Sequence, residues 1–254
     1  MAGDALRGEI PDGFKKIRMD HRRTLVVRAD MERSVDLSQL ENLQSPEASS
    51  GLYGRGALAL LRLDDGGDAL VRRYRHGGAL RAVTGDCFFT WPPRPFRELA
   101  LMHEARRRGV PAVEPLAALV ERQGGPFYRG WLVTRRLEGA RDMWAVAQAE
   151  DFAAGDRASS LEAAARAVRM MHRCGIDHRD LNLKNILLRR EAGKARAYII
   201  DFDKSRLFPG EVPRERAAKN LARLERSIRK LDPERRFVSP LDWEYFLKSY
   251  REAG

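Results

Sequence analysis

Cysteine is scarce. The 254 residues contain only Cys87 and Cys174, far apart and outside any CxxC or Cys/His spacing, so neither a disulfide framework nor a zinc site is expected. A reducing, cytoplasmic setting fits this usage. Long apolar runs are lacking as well. The first twenty residues are broken by Asp4, Arg7, Glu9, Asp12, Lys15 and Lys16, which removes the apolar centre that a secretory signal needs. No later stretch approaches the roughly 20 apolar residues that crossing a bilayer takes. Internal repeats and long low-complexity tracts are also missing, which argues against a solenoid.

What is present is a 43% hydrophobic, 33% charged chain, the composition of a water-exposed globular protein able to bury a core unaided. Lysine and arginine outnumber aspartate and glutamate by 47 to 36, a formal charge of +11. Such a balance attracts polyanions: nucleic acid, anionic headgroups or a phosphorylated substrate. Neither zinc-finger spacing nor an aromatic RNA-binding signature accompanies the arginines, so nucleic acid is not an expected partner. A solvated surface serving solubility is an equally good account of the charge alone.

Along the chain, the polar segment from Glu41 to Ser50 reads as a loop. Leu58 to Leu63 and Ala69 to Tyr74 are apolar runs of β character on either side of Asp64-Asp65-Gly66-Gly67, a hairpin pattern; Trp131 to Thr134 reads as a further strand. Arg97 to Arg108, after Pro92, Pro93 and Pro95 and before Gly109, suits a helix. From Ala140 onward helix dominates, with Leu161 to Cys174 ending at Gly175 and an amphipathic stretch from Arg214 to Leu231. Ile186 to Leu188 and Ala197 to Ile200 interrupt it as short strands. The expected class is α+β, with a small, mainly β lobe carrying one helix over residues 1–136 and a larger, mainly α lobe over 137–254.

The chemistry is carried by His178-Arg179-Asp180-Leu181-Asn182-Leu183-Lys184-Asn185, which fits the kinase pattern H-R-D-L-x-x-x-N at every specified position. Five specified residues at roughly one in twenty each make coincidence rare. Ile199-Ile200-Asp201-Phe202-Asp203 is the second piece. Phosphoryl transfer needs a carboxylate to orient the attacking hydroxyl and take its proton, together with oxygen ligands for magnesium beside the phosphates of ATP. Asp180 suits the first role; Asn185, opening one strand, and Asp201, ending the next, suit the second. Read singly, Asp180 would be a turn cap and Asp201 a polar strand end. Gly51, Gly54 and Gly56 precede the hairpin, where a glycine-rich loop would cover nucleotide phosphates, although such glycines are more often an ordinary loop. Arg72 stands where kinases place a strand lysine, with Glu98 as its expected acidic partner and Glu104 the alternative. His172, Cys174, Trp144 and Trp243 read as packing residues.

Gly54-Arg55-Gly56, Val71-Arg72-Arg73-Tyr74-Arg75-His76-Gly77-Gly78, Phe96-Arg97-Glu98, the His178 to Asn185 loop and Ile200-Asp201-Phe202-Asp203-Lys204 together resemble the bacterial lipopolysaccharide kinases. The resemblance runs from about Gly51 to Leu231 and is closest to the members that act on 3-deoxy-D-manno-octulosonic acid (Kdo). It implies a bilobal, protein-kinase-like fold and ATP-dependent phosphorylation of a sugar hydroxyl on Kdo-lipid A or a related core precursor, at the cytoplasmic face of the inner membrane. Heptose is the second candidate acceptor. Asp203 in place of the usual glycine, Asn182 where protein kinases often carry lysine, and the missing Ala-Pro-Glu segment point away from a protein acceptor. Another small-molecule or protein kinase of this fold, or a non-catalytic pseudokinase, are the competing readings. Lys219, Arg223, Arg226 and Lys230 fall on one face of the Arg214 to Leu231 stretch, opposite Leu221, Leu224, Ile228 and Leu231. That face could meet an anionic membrane surface, with a solvated cationic face as the alternative. Arg72, Arg73, Arg75, Arg81 and Arg106 to Arg108 add to the basic surface.

Overall fold

The computed structural model describes residues 9–35, 58–75, 86–149 and 154–253; the glycines at 51, 54 and 56, the loop expected at 41–50 and Arg81 lie outside them. The described residues form two units. One gathers those up to His103 together with Glu114–Arg136, and the other gathers Glu104–Val113 with those from Leu137 onward.

The first unit is a six-stranded antiparallel sheet in the order β1-β2-β5-β6-β4-β3. Its strands are β1 (Phe14–Arg18), β2 (Arg23–Arg28), β3 (Leu58–Arg62), β4 (Asp68–Arg73), β5 (Pro115–Gly124) and β6 (Phe127–Arg135). The expected hairpin is β3–β4, in register from Leu58 opposite Arg72 to Arg62 opposite Asp68. Leu25, Val27, Leu61, Val71, Leu116 and Val133 share one buried cluster, as alternation along half-buried strands requires.

Helix α1 (Arg94–Arg107) follows Pro92 and Pro93 and ends at Gly109, whose φ of +90° only glycine adopts cheaply. It starts three residues earlier than the sequence pattern indicated. Proline costs little in a first helical turn, so Pro95 does not delay the start. Gly130 on β6 faces Pro95 so closely that a Cβ there would lie 2.3 Å from its Cγ.

The second unit is mainly helical, with α2 (Met143–Ala147), α3 (Ala154–Arg173), α4 (Arg214–Leu231) and α5 (Pro240–Glu252). Strand β9 (Ile186–Glu191) pairs with β10 (Lys194–Ile199) and with the two-residue β7 (Arg141–Asp142), while β8 (Ile176–Asp177) pairs with β11 (Arg206–Leu207). A reciprocal capping box starts α5: the Asp242 amide donates to Ser239 Oγ at 3.1 Å, and the Ser239 amide donates to the Asp242 carboxylate at 2.8 Å.

His172 near the end of α3 is buried, and its Nδ1 shares a 2.7 Å hydrogen bond with the hydroxyl of Tyr250 on α5. Burial pushes its pKa down from 6.5 to about 4. Between those values the unfolded chain binds the proton and the folded chain does not, so stability falls as the pH drops through this window. The His172 share of the loss reaches about 3 kcal/mol near pH 4. Thermal melts should show a steeper decline from pH 6.5 to 4 in the wild type than in His172→Gln. Glu104, held at about 2 by Arg107 and Arg108, begins to lose its contribution as the pH falls through its ordinary 4.5 and has lost it once the pH is below about 2.

Candidate active site

The HRD segment runs out of the β8–β11 ladder and into the 3-10 turn Leu183–Asn185 that opens β9. Two side-chain amides meet on one backbone oxygen. Asn182 Nδ2 and Asn185 Nδ2 donate to the carbonyl of Asp180 at 2.8 and 2.9 Å. Asn182 also caps the turn, its Oδ1 accepting from the Lys184 amide at 3.0 Å. Leu181 and Leu183 are buried and anchor the loop in the core.

Helix α4 holds this loop at two points. Asn220 Nδ2 donates to Asp177 Oδ1 at 2.6 Å, just before the loop, and Ser227 Oγ accepts from the Leu183 amide at 3.1 Å, within it. Asn220 is fully buried on the face that also buries Leu224 and Ile228. The sequence pattern marked only the leucine and isoleucine of that face. Polar Asn220 gives no apolar signal and is recognisable only by its helical spacing of four from Leu224.

His178 ties the loop to the segment carrying Asp201. It is fully buried, its Nε2 donates to the Ile200 carbonyl at 2.9 Å, and its ring packs on Phe202 with centroids 5.4 Å apart. Because a carbonyl can only accept, the proton sits on Nε2. Burial pushes the His178 pKa down, so the ring acts as a neutral strut.

Asn185 and Asp201 bracket the β9–β10 hairpin. Ile199 pairs with Ile186, and the Ile200 amide continues the ladder to the Asn185 carbonyl at 3.0 Å. The expectation that Asn185 opens a strand and Asp201 ends one is shifted slightly. Asn185 closes the 3-10 turn, and Asp201 lies past Ile199 in the left-handed region, at φ +63°. A non-glycine residue in this region marks local strain of the kind concentrated at functional sites. With Nδ2 spent on Asp180, the amide oxygen of Asn185 is the atom left for a cation. Among the described residues no three His, Cys, Asp or Glu side chains form a metal cluster. One amide oxygen from Asn185 and one carboxylate from Asp201 would be a sparse protein set, of the kind magnesium accepts when phosphate oxygens complete its shell.

In the first unit, Arg72 donates through Nη2 to Glu98 Oε2 at 2.5 Å, and its guanidinium lies 4.8 Å from the Tyr74 ring centroid. Tyr74 also donates its hydroxyl to Glu98. Glu104, the alternative partner, instead receives Arg107 and Arg108. Tyr74 was not foreseen as the third member; it lies two residues past Arg72 on the same face of the extended chain.

Most of the other arginines counted toward a basic surface are engaged internally. Arg73 and Arg75 face Asp86 at 3.2 and 3.9 Å, and Arg106 donates to the Ala112 carbonyl at 2.6 Å. Lys219, Arg226 and Lys230 on α4, by contrast, are exposed.

A pinned loop with an exposed carboxylate, an amide and a carboxylate bracketing a hairpin, and an arginine on a sheet strand paired with a glutamate on helix α1 together fit an α+β kinase of the protein-kinase-like class. Residues 38–250 match the model of the lipopolysaccharide kinase (Kdo/WaaP) family, and the chain belongs to that family. A 3-deoxy-D-manno-octulosonic acid kinase of Xanthomonas campestris pv. campestris (strain B100) is 37% identical over 74% of this chain and 72% of its own length. One from Actinobacillus succinogenes is 34% identical over 80% and 84%. Among solved structures, WaaP in complex with acyl carrier protein superposes with a TM-score of 0.56 at 20% identity, covering 90% of this chain and 88% of that one.

Glu98 is only 1% exposed, so removing its cation strands a buried carboxylate. Arg72→Met should cost about 3 kcal/mol in urea unfolding, and Arg72→Lys clearly less. Equal stability of Arg72→Met and wild type would show that Tyr74 alone satisfies Glu98.

Proposed function

We propose that this kinase transfers the γ-phosphoryl of ATP, with magnesium, to a sugar hydroxyl of the lipopolysaccharide inner core, namely Kdo on lipid A. The observation that carries the reading is the Asp180 carboxylate, exposed on a backbone fixed by two amides. The names of the relatives, matched over most of their length, support the choice of acceptor. When bound, ATP supplies the transferable group, and magnesium neutralises charge on its oxygens. Asp180 orients the acceptor hydroxyl and takes its proton as the sugar oxygen attacks phosphorus. Asn185 and Asp201 would hold the cation, and Arg72, braced by Glu98, would meet the phosphates as the strand lysine does in other kinases. Gly51, Gly54 and Gly56, which lie outside the described residues, are the glycines proposed to cover the nucleotide phosphates.

Mass spectrometry of Kdo-lipid A incubated with the protein, ATP and magnesium should show one added phosphate. Asp180→Asn should lower turnover by about 10²–10⁴-fold while leaving ATP affinity intact. Transfer to a heptosylated core but not to Kdo-lipid A would move the acceptor; binding of ATP without any transfer would favour a pseudokinase.

No helix among the described residues is long and apolar enough to cross a membrane, and the acceptor of this reading is a lipid. The exposed cations of α4 are the contact proposed for the anionic surface of the inner membrane, on its cytoplasmic face. Sedimentation with vesicles containing anionic lipid should fall several-fold in a Lys219→Glu/Arg226→Glu/Lys230→Glu variant and fall with added salt in the wild type. Unchanged sedimentation would leave the face to a protein partner, the kind of contact named for the solved WaaP complex.

A further inference from the structure

We propose that Lys204 is a catalytic residue of this kinase, its ammonium donating to the phosphoryl group as that group passes to the acceptor hydroxyl beside Asp180. This rests on the reading of Asp180 as the proton acceptor. Lys204 Nζ donates to Asp180 Oδ2 at 3.0 Å, which places a full positive charge on the carboxylate where transfer occurs.

The backbone puts it there. Arg206 pairs with Asp177 in the β8–β11 ladder; continued by two residues on each strand, that register sets Lys204 opposite Arg179, next to Asp180. A turn closed by the Ser205 amide on the Phe202 carbonyl at 2.9 Å fixes the approach. Phe202, Asp203 and Ser205 are buried, and Lys204 alone of the four is exposed. The segment is thus packed on every side except the one that delivers the cation.

Stability does not explain the pair. The side chains are 61% and 47% exposed, and ion pairs this open to water contribute little to folding. Asn182, which stands where protein kinases often carry lysine, is neutral and brings no positive charge to the site, and its amide already donates and accepts within the loop. A transferring phosphoryl spreads negative charge over its outer oxygens, and a donor already in position costs no reorganisation when the charge develops. An ammonium has three donors, so one can remain on Asp180 while another meets the phosphoryl. No bond to Lys204 forms or breaks: the bond from phosphorus to ADP breaks, the bond to the sugar oxygen forms, and the sugar proton passes to Asp180.

The test is steady-state kinetics of the full chain with Kdo-lipid A, ATP and magnesium for wild type, Lys204→Met, Lys204→Arg and Asp180→Asn, with ATP binding and thermal melting measured on each. Where sugar transfer is absent, ATP hydrolysis with water as acceptor is read instead. Lys204→Met should lower kcat about 10²-fold with unchanged melting, ATP affinity and KM for ATP. Lys204→Arg should recover part of the loss. A kcat within twofold of wild type in Lys204→Met, or a loss confined to ATP affinity, would overturn the assignment. If Asp180→Asn keeps full turnover, the underlying reading of Asp180 fails; if Asp180→Asn is inactive and Lys204→Met is fully active, only the role of Lys204 fails.

Discussion

The convergence of Asn182 and Asn185 on the carbonyl of Asp180 is the contact on which the chemistry proposed for the second unit depends. A catalytic carboxylate must be solvated enough to meet a substrate and rigid enough to meet it in one orientation. Here the two demands are divided between atoms of one residue. The carboxylate of Asp180 stays half exposed, with Lys204 on one of its oxygens, and its backbone is immobilised by two neutral amides.

Around that point the other constraints form concentric supports. His178 joins the loop to the carbonyl preceding Asp201, the β9–β10 ladder joins Asn185 to Ile200, and α4 closes the arrangement through Asn220 and Ser227. None of these contacts is an ion pair. Their strength therefore varies little with salt, whereas the outer face of α4 carries charges whose interactions are salt-dependent. One helix presents both behaviours on opposite faces.

How much of this was legible in the sequence depended on whether a signal was contiguous. The HRD loop and the Asp201 segment are unbroken strings, and the β3–β4 hairpin and α4 have clear periodicity, so they were readable directly. Strands β1 and β2 and the long β5 had no counterpart among the expected elements. Phe-Lys-Lys-Ile-Arg of β1 has too few apolar residues to show alternation, and Leu-Ala-Ala-Leu in β5 has a helix-favouring composition that the sheet overrides. The Arg72–Glu98 pair was foreseen from the kinase pattern of a strand cation with an acidic partner on the following helix, whereas Asn220, Ser227 and the contact of Lys204 with Asp180 come from chain segments brought together only by folding.

The connection from Asp201 to α4 has a consequence for control. Along it the Phe208 amide bonds to the Gly175 carbonyl at 2.7 Å and the Val212 amide to the His172 carbonyl at 2.8 Å. It also lies so close that a Cβ on Gly175 would sit 2.5 Å from the carbonyl oxygens of Phe208 and Gly210. A strap stitched this tightly has no slack to swing in and out as a gate.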